Sequence, residues 1–550
     1  MASTSQAMGS YVMPRKLQRQ IGFVGLMFAS AGSIIGSGWL LGALTASKVA
    51  GPAAIVSWVI GAVAILFLAL VHAELGSMFA VAGGSARFPH YAFGSLAGLA
   101  SGWIYYLGAV TVAPAEVEAA LTYANNYVPN LINGDGTLTV PTGLFVAAAA
   151  MAVFSGINLL SVKWLAETNK ITVYWKIAIP VLTVIVFLIL THHFENLTSH
   201  GFMPNGLPSV FAALSSGIIF AYLGFEQAVE FGAESHNPRR NIPLAVIGSM
   251  IIGVVVYLGL AIAFATSFDP SALKNGWSKL AFAGSFGPYA AIASSLGLGW
   301  LAVLLYIDAV VSPAGTGLIY LGSSSRLSFS MARNRYIPEI FEHLSSRHVP
   351  LVSILAATVL GFIFLLPFPS WQSLIGIITS ATVLSYGLQP LALTALRRQV
   401  PDHDRPYRLM GAEVIAPLAF IVANLIIYWG GWQTNWKLMV ALLLGLVLMA
   451  ITYATSKPEY RPTFDWHAAY WLVPYLGGLA AISYLGATDF GGTGLFPFGW
   501  DALVVAIFSI VIYVLALRLR LTDAKAKEYI AELSAEAEAE AEILGPSLAG

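Results

Sequence analysis

Long apolar segments recur along the whole chain, and they constrain its fold more than any other feature of the sequence. A bilayer core about 30 Å thick needs about 20 helical residues to cross it. Only 10% of the residues are charged, whereas a soluble protein has about 25%. The sequence therefore predicts an all-α integral membrane protein with about fourteen transmembrane helices, near residues 21–46, 52–79, 95–124, 140–160, 169–191, 208–232, 242–267, 288–325, 349–367, 371–396, 411–430, 435–455, 467–485 and 498–519.

Basic residues concentrate in alternate loops, and this asymmetry predicts the orientation of the chain. Lysine and arginine are enriched in the cytoplasmic loops of membrane proteins. One set of loops carries most of them, whereas the other set holds few, among them Lys274, Lys279 and Lys437. Both termini then lie in the cytoplasm, which requires an even number of spans. We expect a multi-pass protein of the cell membrane, with a cytoplasmic N-terminal segment at 1–20 and an acidic cytoplasmic tail at 520–550, of which Lys525 to Leu544 is either a solvated helix or disordered.

The composition also argues against several classes of function. Lysine plus arginine equals aspartate plus glutamate at 27 each, so net charge gives no reason to expect a nucleic-acid partner. The absence of cysteine excludes disulfides, thiol nucleophiles and thiolate metal sites. The histidines show no metal-ligand spacing, and no nucleophile, base and orienting residue are recognisable together. We expect neither an enzyme nor a protein with a resident metal or cofactor.

The first apolar segment is interrupted by the stretch Gly32-Ser33-Ile34-Ile35-Gly36-Ser37-Gly38. Glycine disfavours a helix because it costs about 1 kcal/mol relative to alanine in a helix interior. An opened backbone is tolerated at membrane depth only where it is buried in protein or lines a water-filled cavity. The stretch therefore has two interpretations, a break that forms a binding site or a set of small residues for close helix packing.

A second interruption, Phe220-Ala221-Tyr222-Leu223-Gly224-Phe225-Glu226-Gln227, lies five spans after the first. Breaks in corresponding helices of two halves indicate a midplane binding site in a transporter built on an inverted repeat. The amides at the N-terminus of a half-helix can hold a carboxylate, and freed carbonyls can hold an ammonium group or a cation. An α-amino acid presents both groups, so the two breaks together are compatible with its transport.

Four groups of motifs follow one another in an order that is more specific than any one of them. They are the first interruption; Glu74-Leu75-Gly76 with Gly83-Gly84-Ser85; Gly224-Phe225-Glu226 with Glu234 to Pro243; and Ser325-Arg326 with Met331-Ala332-Arg333 and Ile337-Pro338. In this order they resemble the amino acid–polyamine–organocation superfamily of permeases, over about residues 15–410. Within it, Val112 to Glu118, Leu396-Arg397-Arg398 and Arg405 to Arg408 look most like a subgroup of aspartate–proton symporters.

The resemblance implies a leucine-transporter-like core of two five-helix inverted repeats, with helices 1 and 6 broken. Residues 21–396 would form this core, and 397–519 would form four peripheral helices. Carried over by position, the residues that would bind substrate fall in the two interruptions. In the first interruption, backbone amides would hold the substrate carboxylate, and the residues are Ile35, Gly36, Ser37 and Gly38. In the second, Phe220, Ala221 and Leu223 would line the amino-group side, with Phe220 capping the substrate. Glu226 would affect substrate choice.

Ionisable residues within the spans are candidates for coupling, because such residues usually face a cavity or a partner. Some proton-coupled members of the superfamily carry a lysine on helix five in place of a sodium site, which is where Lys176 falls; the alternative is a lysine that snorkels to the interface. Asp308, with Ser312 one turn later, flanks this position or pairs with a distant basic residue. Glu116 and Glu118 lie about 200° apart around a helix, so at most one faces the site.

The sequence as a whole predicts a proton-coupled amino acid symporter that works by alternating access, with the proton as coupling ion and no cofactor. Its many carboxylates favour a neutral or cationic substrate, whereas the resemblance points to aspartate, so the substrate stays open. A polyamine or potassium transporter on the same fold, an amino acid exchanger and a channel are the alternatives. The partners expected are the amino acid and the lipid bilayer, with the protein as a monomer or homodimer.

Overall fold

The computed structural model of the chain describes residues 21–81, 83–160, 162–282, 287–345, 349–366, 370–458 and 461–532, with the backbone alone at 162–170. The predicted N-terminal segment at 1–20 and residues 533–550 of the predicted tail lie outside the described residues. Helices dominate the described ranges, in which the two isolated β-bridges join Ile21 to Ser235 and Ile132 to Leu138.

The helices of the first half run up to the second predicted interruption. They are α1 (Phe23–Ile34), α2 (Gly38–Ala50), α3 (Ala54–Met78), α4 (Gly84–Phe93), α5 (Ser95–Ala124), α6 (Thr142–Leu160), α7 (Val162–Leu190), α8 (Gly206–Ala213), α9 (Ile219–Tyr222) and α10 (Gln227–Glu230). A kinked turn of π-helix, Leu214–Ile218, joins α8 to α9.

The second half contains longer uninterrupted helices. They are α11 (Pro238–Ser267), α12 (Pro288–Ser295), α13 (Gly299–Arg333), α14 (Leu351–Leu365), α15 (Trp371–Gln399), α16 (Ala412–Trp429), α17 (Trp432–Thr455), α18 (Trp466–Ala469), α19 (Leu472–Leu485) and α20 (Trp500–Leu519). Residues 523–532 are helical as well.

Each of the fourteen predicted segments coincides with a helix or an interrupted group of helices in the described chain. Eleven runs of described residues are long and apolar enough to cross a membrane. One of them, Phe23–Met78, contains the first two predicted spans, and Gly206–Tyr222 and Leu351–Leu365 are shorter apolar helices. These findings confirm an all-α membrane protein whose first and sixth segments are both broken.

Short helices account for two differences between the predicted segments and the structure. The eighth segment was predicted from residue 288, but the long helix α13 begins only at Gly299. Gly297 lies in the left-handed region (φ 75°), and its turn separates α13 from the short α12. The predicted loop after the second span contains the helix α4, which begins after Gly83. The hydropathy pattern merged α12 with α13 and missed α4, because a turn of two or three residues leaves no visible mark in such a pattern.

The helices differ in how far other helices enclose them. α5 and α15 are surrounded along most of their length, whereas α17 faces outward along most of its length. α17 exposes large apolar side chains, among them Leu443, Leu444 and Val447. An apolar surface of this size marks contact with a partner or a membrane, and in this chain it fits acyl chains.

The end of α3, the helix α4 and the end of α15 with the loop after it meet at one end of the protein, which we call the basic end. The carboxylate of Glu74 in α3 binds Arg397 at the end of α15, with distances of 2.9 Å from Nε to Oε1 and 2.6 Å from Nη2 to Oε2. The N–H of Leu409 also donates to Glu74 at 2.7 Å. Residues from two motifs of the family resemblance therefore fix the loop after α15 against α3.

The described part of the C-terminal tail packs against the basic end. The N–H of Leu521 donates to the carbonyl of Ala92 at 3.1 Å, and the amide of Gln399 donates to both Ala92 and Leu521. Tyr529 is buried beside His90. Burial, with the positive charges of Arg87 and Lys525 nearby, lowers the pKa of His90 to about 3. The expectation of a solvated or disordered tail from Lys525 onward was therefore wrong for Ala526, Tyr529 and Ile530, which are buried, whereas residues 527, 528, 531 and 532 are exposed.

Candidate functional site

The first break separates α1 from α2. The N–H of Ile35 closes the last turn of α1 on Ala31, and the N–H of Gly36 donates to the carbonyl of Ile34 at 3.1 Å. The next amide, that of Ser37, donates to Oε2 of Glu116 at 2.8 Å. A carboxylate from α5 therefore lies at the N-terminus of α2, where the free amides and the helix dipole attract an anion.

The second break separates α9 from α10. Leu223 is extended (ψ 152°), and Gly224 has φ 122°, which L side chains rarely adopt. The carboxylate of Glu226 lies inside the turn and accepts the N–H of Gly224 on Oε2 at 2.9 Å. The break thus obtains its hydrogen-bond acceptor from its own sequence.

Glu226 is also held by two other helices. Its Oε1 accepts the hydroxyls of Tyr105 in α5 and Tyr320 in α13, each at 3.0 Å, and the side-chain amide of Gln227 at 3.1 Å. The carboxylate is completely buried. These contacts give Glu226 a structural role at the second break, in addition to the predicted influence on substrate choice, which stays a prediction.

The two breaks lie directly against each other. A Cβ atom on Gly38 would lie 2.9 Å from the Cα of Ala221, and one on Gly224 would lie 2.8 Å from the Cβ of Ser33. Ser30 in α1 also bridges to the second break, because its hydroxyl donates to the carbonyl of Phe225 at 2.8 Å and accepts the N–H of Ala228 at 3.0 Å. Glycine is needed at the two contacts because any side chain would push the breaks apart.

A small cavity lies between the two breaks and the helices α5, α13 and α15. Four of the predicted substrate residues line it, namely Gly36, Gly38, Phe220 and Leu223. The other four lie behind this lining, and their predicted role stays a prediction: Ile35, Ser37, Ala221 and Glu226. The lining that the substrate prediction did not include consists of the break residues Ser33 and Ile34 and of Val112, Glu116, Thr316, Tyr320 and Ile378.

The ammonium group of Lys176 lies beside the first break. It donates to the carbonyl of Gly32, which the end of α1 leaves free, and to Oγ1 of Thr316 at 2.8 Å. Thr316 in turn donates to the same carbonyl at 2.9 Å. Lys176 is completely buried, so its ammonium does not snorkel to the interface. Glu116 and Asp308 both interact with it electrostatically.

Polar residues recur at every fourth position of α13 and form one stripe toward the breaks: Asp308, Ser312, Thr316 and Tyr320. Ser312 donates to both oxygens of Asp308, at 2.8 and 2.9 Å, and Trp39 of α2 donates to Oδ2 at 3.1 Å. Asp308 interacts electrostatically with Lys176, and neither Asp308 nor Ser312 lines the cavity. Residues four apart share one face of a helix, so this spacing was a signal in the sequence.

Glu116 and Glu118 lie on different sides of α5, as the helix angle requires. Glu116 lines the cavity, whereas Glu118 does not. Glu118 is buried, and neither of its oxygens has a hydrogen-bond partner among the described residues. The two neighbouring acids thus differ in environment, and Glu116 is the one charged side chain in the described lining of the cavity.

A buried ion pair lies between the cavity and the basic end. Arg326 of α13 donates to Glu234 through Nε at 2.6 Å, and its guanidinium lies 4.7 Å from the centre of the Phe231 ring. One layer further in, Oε1 of Glu230 accepts the N–H of Ser85 in α4 at 3.3 Å. Sequence reasoning did not pair these residues, because they come from three separate parts of the chain.

Comparison with known proteins agrees with this architecture. Residues 21–450 match the sequence model of the amino acid permease family. The glutamate/serine transporter AimA of Bacillus subtilis strain 168 is 39% identical over 514 residues, which cover 92% of this chain and 94% of that protein. The aspartate-proton symporter of the same strain is 34% identical over 501 residues, or 90% of this chain and 95% of that protein. The branched-chain amino acid permease BcaP of the same strain is 28% identical over 461 residues, or 79% of this chain and 93% of that protein. The chain therefore belongs to the amino acid permease family, and it is a membrane transporter rather than an enzyme.

Proposed function

We propose that the protein is a proton-coupled amino acid symporter of the cytoplasmic membrane that works by alternating access around its two broken segments. The observation that carries the proposal is the buried ammonium of Lys176 on the free carbonyl of Gly32 and on Thr316. These oxygens would otherwise suit a metal cation, because hard cations prefer oxygen ligands. A lysine in that place supplies a cation that can gain and lose a proton, which favours protons over sodium as the coupling ion.

The lining of the cavity offers groups that would hold both charged ends of an amino acid. Its carboxylate would approach the amides around Gly36 and Gly38 at the start of α2, and its ammonium would approach the carbonyls at the end of α9, with Phe220 over the substrate. The residues 21–396 would form the moving core, with 397–519 peripheral to it.

We propose neutral amino acids as the substrates. The charged side chain in the described lining is an acid, Glu116, and a substrate with a second carboxylate would prefer arginine or lysine nearby. Among the substrates in the relatives' names, serine is neutral, whereas glutamate and aspartate would bring an extra negative charge beside Glu116.

Alternating access needs the cavity to open toward each side in turn. We assign the basic end to the cytoplasm, following the distribution of lysine and arginine. Opening on that side would separate the pair Arg326–Glu234 and the contact between Ser85 and Glu230. The burial of this ion pair means that water must replace each partner as the gate opens, since an uncompensated buried charge is very unfavourable.

The test is uptake of radioactive serine into liposomes that contain the purified protein, under an imposed pH gradient or an imposed sodium gradient. We expect uptake with the pH gradient alone, and its loss in Lys176→Ala. Lys274→Ala, at an exposed loop, is the matched control and should transport normally. Proton-driven uptake that survives in Lys176→Ala would overturn the role of the lysine.

Uptake and thermal-stability measurements separate the alternatives. An exchanger would take up serine only when the liposomes already contain an amino acid. A polyamine or potassium carrier would be stabilised thermally by those cations and not by amino acids, since a ligand at 100 times its dissociation constant adds about 2.7 kcal/mol.

A further inference from the structure

Glu116 lies in the place where the proposed function needs the substrate carboxylate. Its Oε2 accepts the N–H of Ser37 at 2.8 Å. Its Oε1 lies so close to the first break that a Cβ atom on Gly36 would be 2.6 Å away. This second oxygen has no hydrogen-bond partner among the described residues, and the side chain is 1% exposed. One oxygen is thus held by the N-terminus of α2, while the other points into the cavity.

Two carboxylates cannot share this position when both are ionised. The Ser37 amide offers a single hydrogen, and two like charges about 3 Å apart cannot both persist in a buried site. The arrival of a substrate carboxylate therefore requires Glu116 to move away, to become neutral, or both. Glu116 can move away because its side chain has several rotatable bonds, and it can become neutral by taking up a proton.

We propose that Glu116 is a resident carboxylate that holds the carboxylate subsite of the empty transporter and is exchanged for the carboxylate of the substrate. The hydrogen bond from Ser37 to Glu116 breaks, a hydrogen bond from Ser37 to the substrate forms, and Glu116 takes up one proton from the water of the cavity. This inference rests on the proposed function, since it assumes that an amino acid binds at the first break.

The charges around Glu116 support an exchange of this kind. The ionisable groups that interact with it from the neighbouring helices are Lys176 of α7, Tyr257 of α11 and Tyr320 of α13. Lys176 makes its hydrogen bonds to Gly32 and Thr316, so Glu116 can leave without breaking them. Lys176 interacts with Asp308 throughout, and with one further carboxylate before and after the exchange, first that of Glu116 and then that of the substrate. The proton that Glu116 takes up on binding therefore needs no change of charge at the lysine in that step.

The chain provides a matched control in Glu118. It lies two residues further along α5 and is buried as well, but it lines no part of the cavity. Glu118→Gln removes the same charge from the same helix as Glu116→Gln. A difference between the two variants then reports on the position of the carboxylate and not on the loss of an acid.

The experiment measures serine affinity as a function of pH by titration calorimetry, in buffers of different ionisation enthalpy, so that protons taken up on binding are counted directly. Uptake of one proton weakens serine binding about tenfold for each unit of rising pH. We expect this slope and one proton for the natural protein and for Glu118→Gln. We expect no slope and no proton uptake for Glu116→Gln, whose amide oxygen can still accept from Ser37 but carries no charge.

A second measurement needs no variant and remains valid if Glu116→Gln does not fold. 2-Aminoethanol resembles serine without its carboxylate, so its binding should take up no proton, whereas serine binding takes up one. The exchange would be overturned if the serine affinity of Glu116→Gln fell with pH as steeply as that of the natural protein. It would also be overturned if serine and 2-aminoethanol took up the same number of protons on binding. In either case, uptake driven by the pH gradient and lost in Lys176→Ala would leave the proposed symport intact, so the two failures are distinguishable.

Discussion

The two broken segments solve one physical problem in different ways. Each exposes backbone amides inside a membrane protein, where an unpaired N–H is costly. At the second break, Gly224 donates to Glu226, two residues away, which Tyr105 and Tyr320 hold in place. At the first break, Ser37 donates to Glu116 on another helix, and one oxygen of Glu116 is unbonded among the described residues. Glu226 lies in the turn itself and accepts several hydrogen bonds, so it makes a permanent turn. Glu116 lies on another helix and can be replaced as the acceptor by a ligand.

The strongest test of this comparison is Glu226→Ala. The substitution leaves the N–H of Gly224 and the hydroxyls of Tyr105 and Tyr320 without their acceptor, and each unsatisfied buried donor costs about 1–3 kcal/mol. We expect a large fall in the melting temperature of the purified protein and loss of serine uptake. Glu226→Gln keeps an acceptor oxygen and should recover part of the stability. A melting temperature equal to that of the natural protein would contradict a structural role for Glu226.

The next effect in size should come from Gly38→Ala. The added Cβ would lie 2.9 Å from the backbone of Ala221, and overpacking of this kind costs about 1–3 kcal/mol. We expect serine affinity to fall about tenfold because the two breaks are forced apart. Gly42→Ala, one turn further along α2, meets its nearest atoms at an ordinary 3.5 Å and is the control. Equal affinities of the two variants would show that the close contact of the breaks is unimportant for binding.

Ser30→Ala tests the link between the breaks. Its hydroxyl is the acceptor for the N–H of Ala228, so its removal leaves a buried donor unsatisfied at a cost of about 1–3 kcal/mol. We expect a measurable loss of thermal stability. The hydroxyl of Ser33, by contrast, has no partner among the described residues, so Ser33→Ala should not lower the melting temperature. The reverse order of the two variants would refute the link.

The smallest effect is expected for Ser37→Ala. The hydroxyl accepts from the indole of Trp371 at 2.8 Å, but the first break uses the backbone N–H of Ser37, which alanine retains. We expect serine affinity to change less than about fivefold, because one neutral hydrogen bond is worth about 1 kcal/mol at most sites. A loss as large as that of Gly38→Ala would mean that the side chain, and not the amide, binds the substrate.

Local composition was sufficient to predict an all-α membrane protein and the positions of its two interruptions. Apolar length predicted the spans. Glycine in a membrane segment indicated the interruptions, although close helix packing was the alternative interpretation of the first one. The helix angle between Glu116 and Glu118 showed that at most one of them faces the site, but it could not say which one. That choice depends on how α5 is rotated, which is decided by contacts with the rest of the protein.

The partners of the polar groups could not be predicted. Glu226 is fixed by tyrosines of α5 and α13, and Glu234 by an arginine that follows almost a hundred residues later. Nothing in the local sequence distinguishes an acid that supports a turn from one that binds a ligand. The stripe from Asp308 to Tyr320 was visible as a spacing, yet its bonds to Trp39 and Lys176 were not.

The packing of residues 521–532 against α4 has a consequence for biosynthesis. Synthesis starts at the N-terminus, and the early parts of a chain generally fold first. The helix α4 is therefore made long before Leu521 and Tyr529, which contact Ala92 and His90. Until residues 521–532 have been synthesised, this surface of α4 lacks their contacts. The newly inserted protein thus completes its basic end only after these residues have been made.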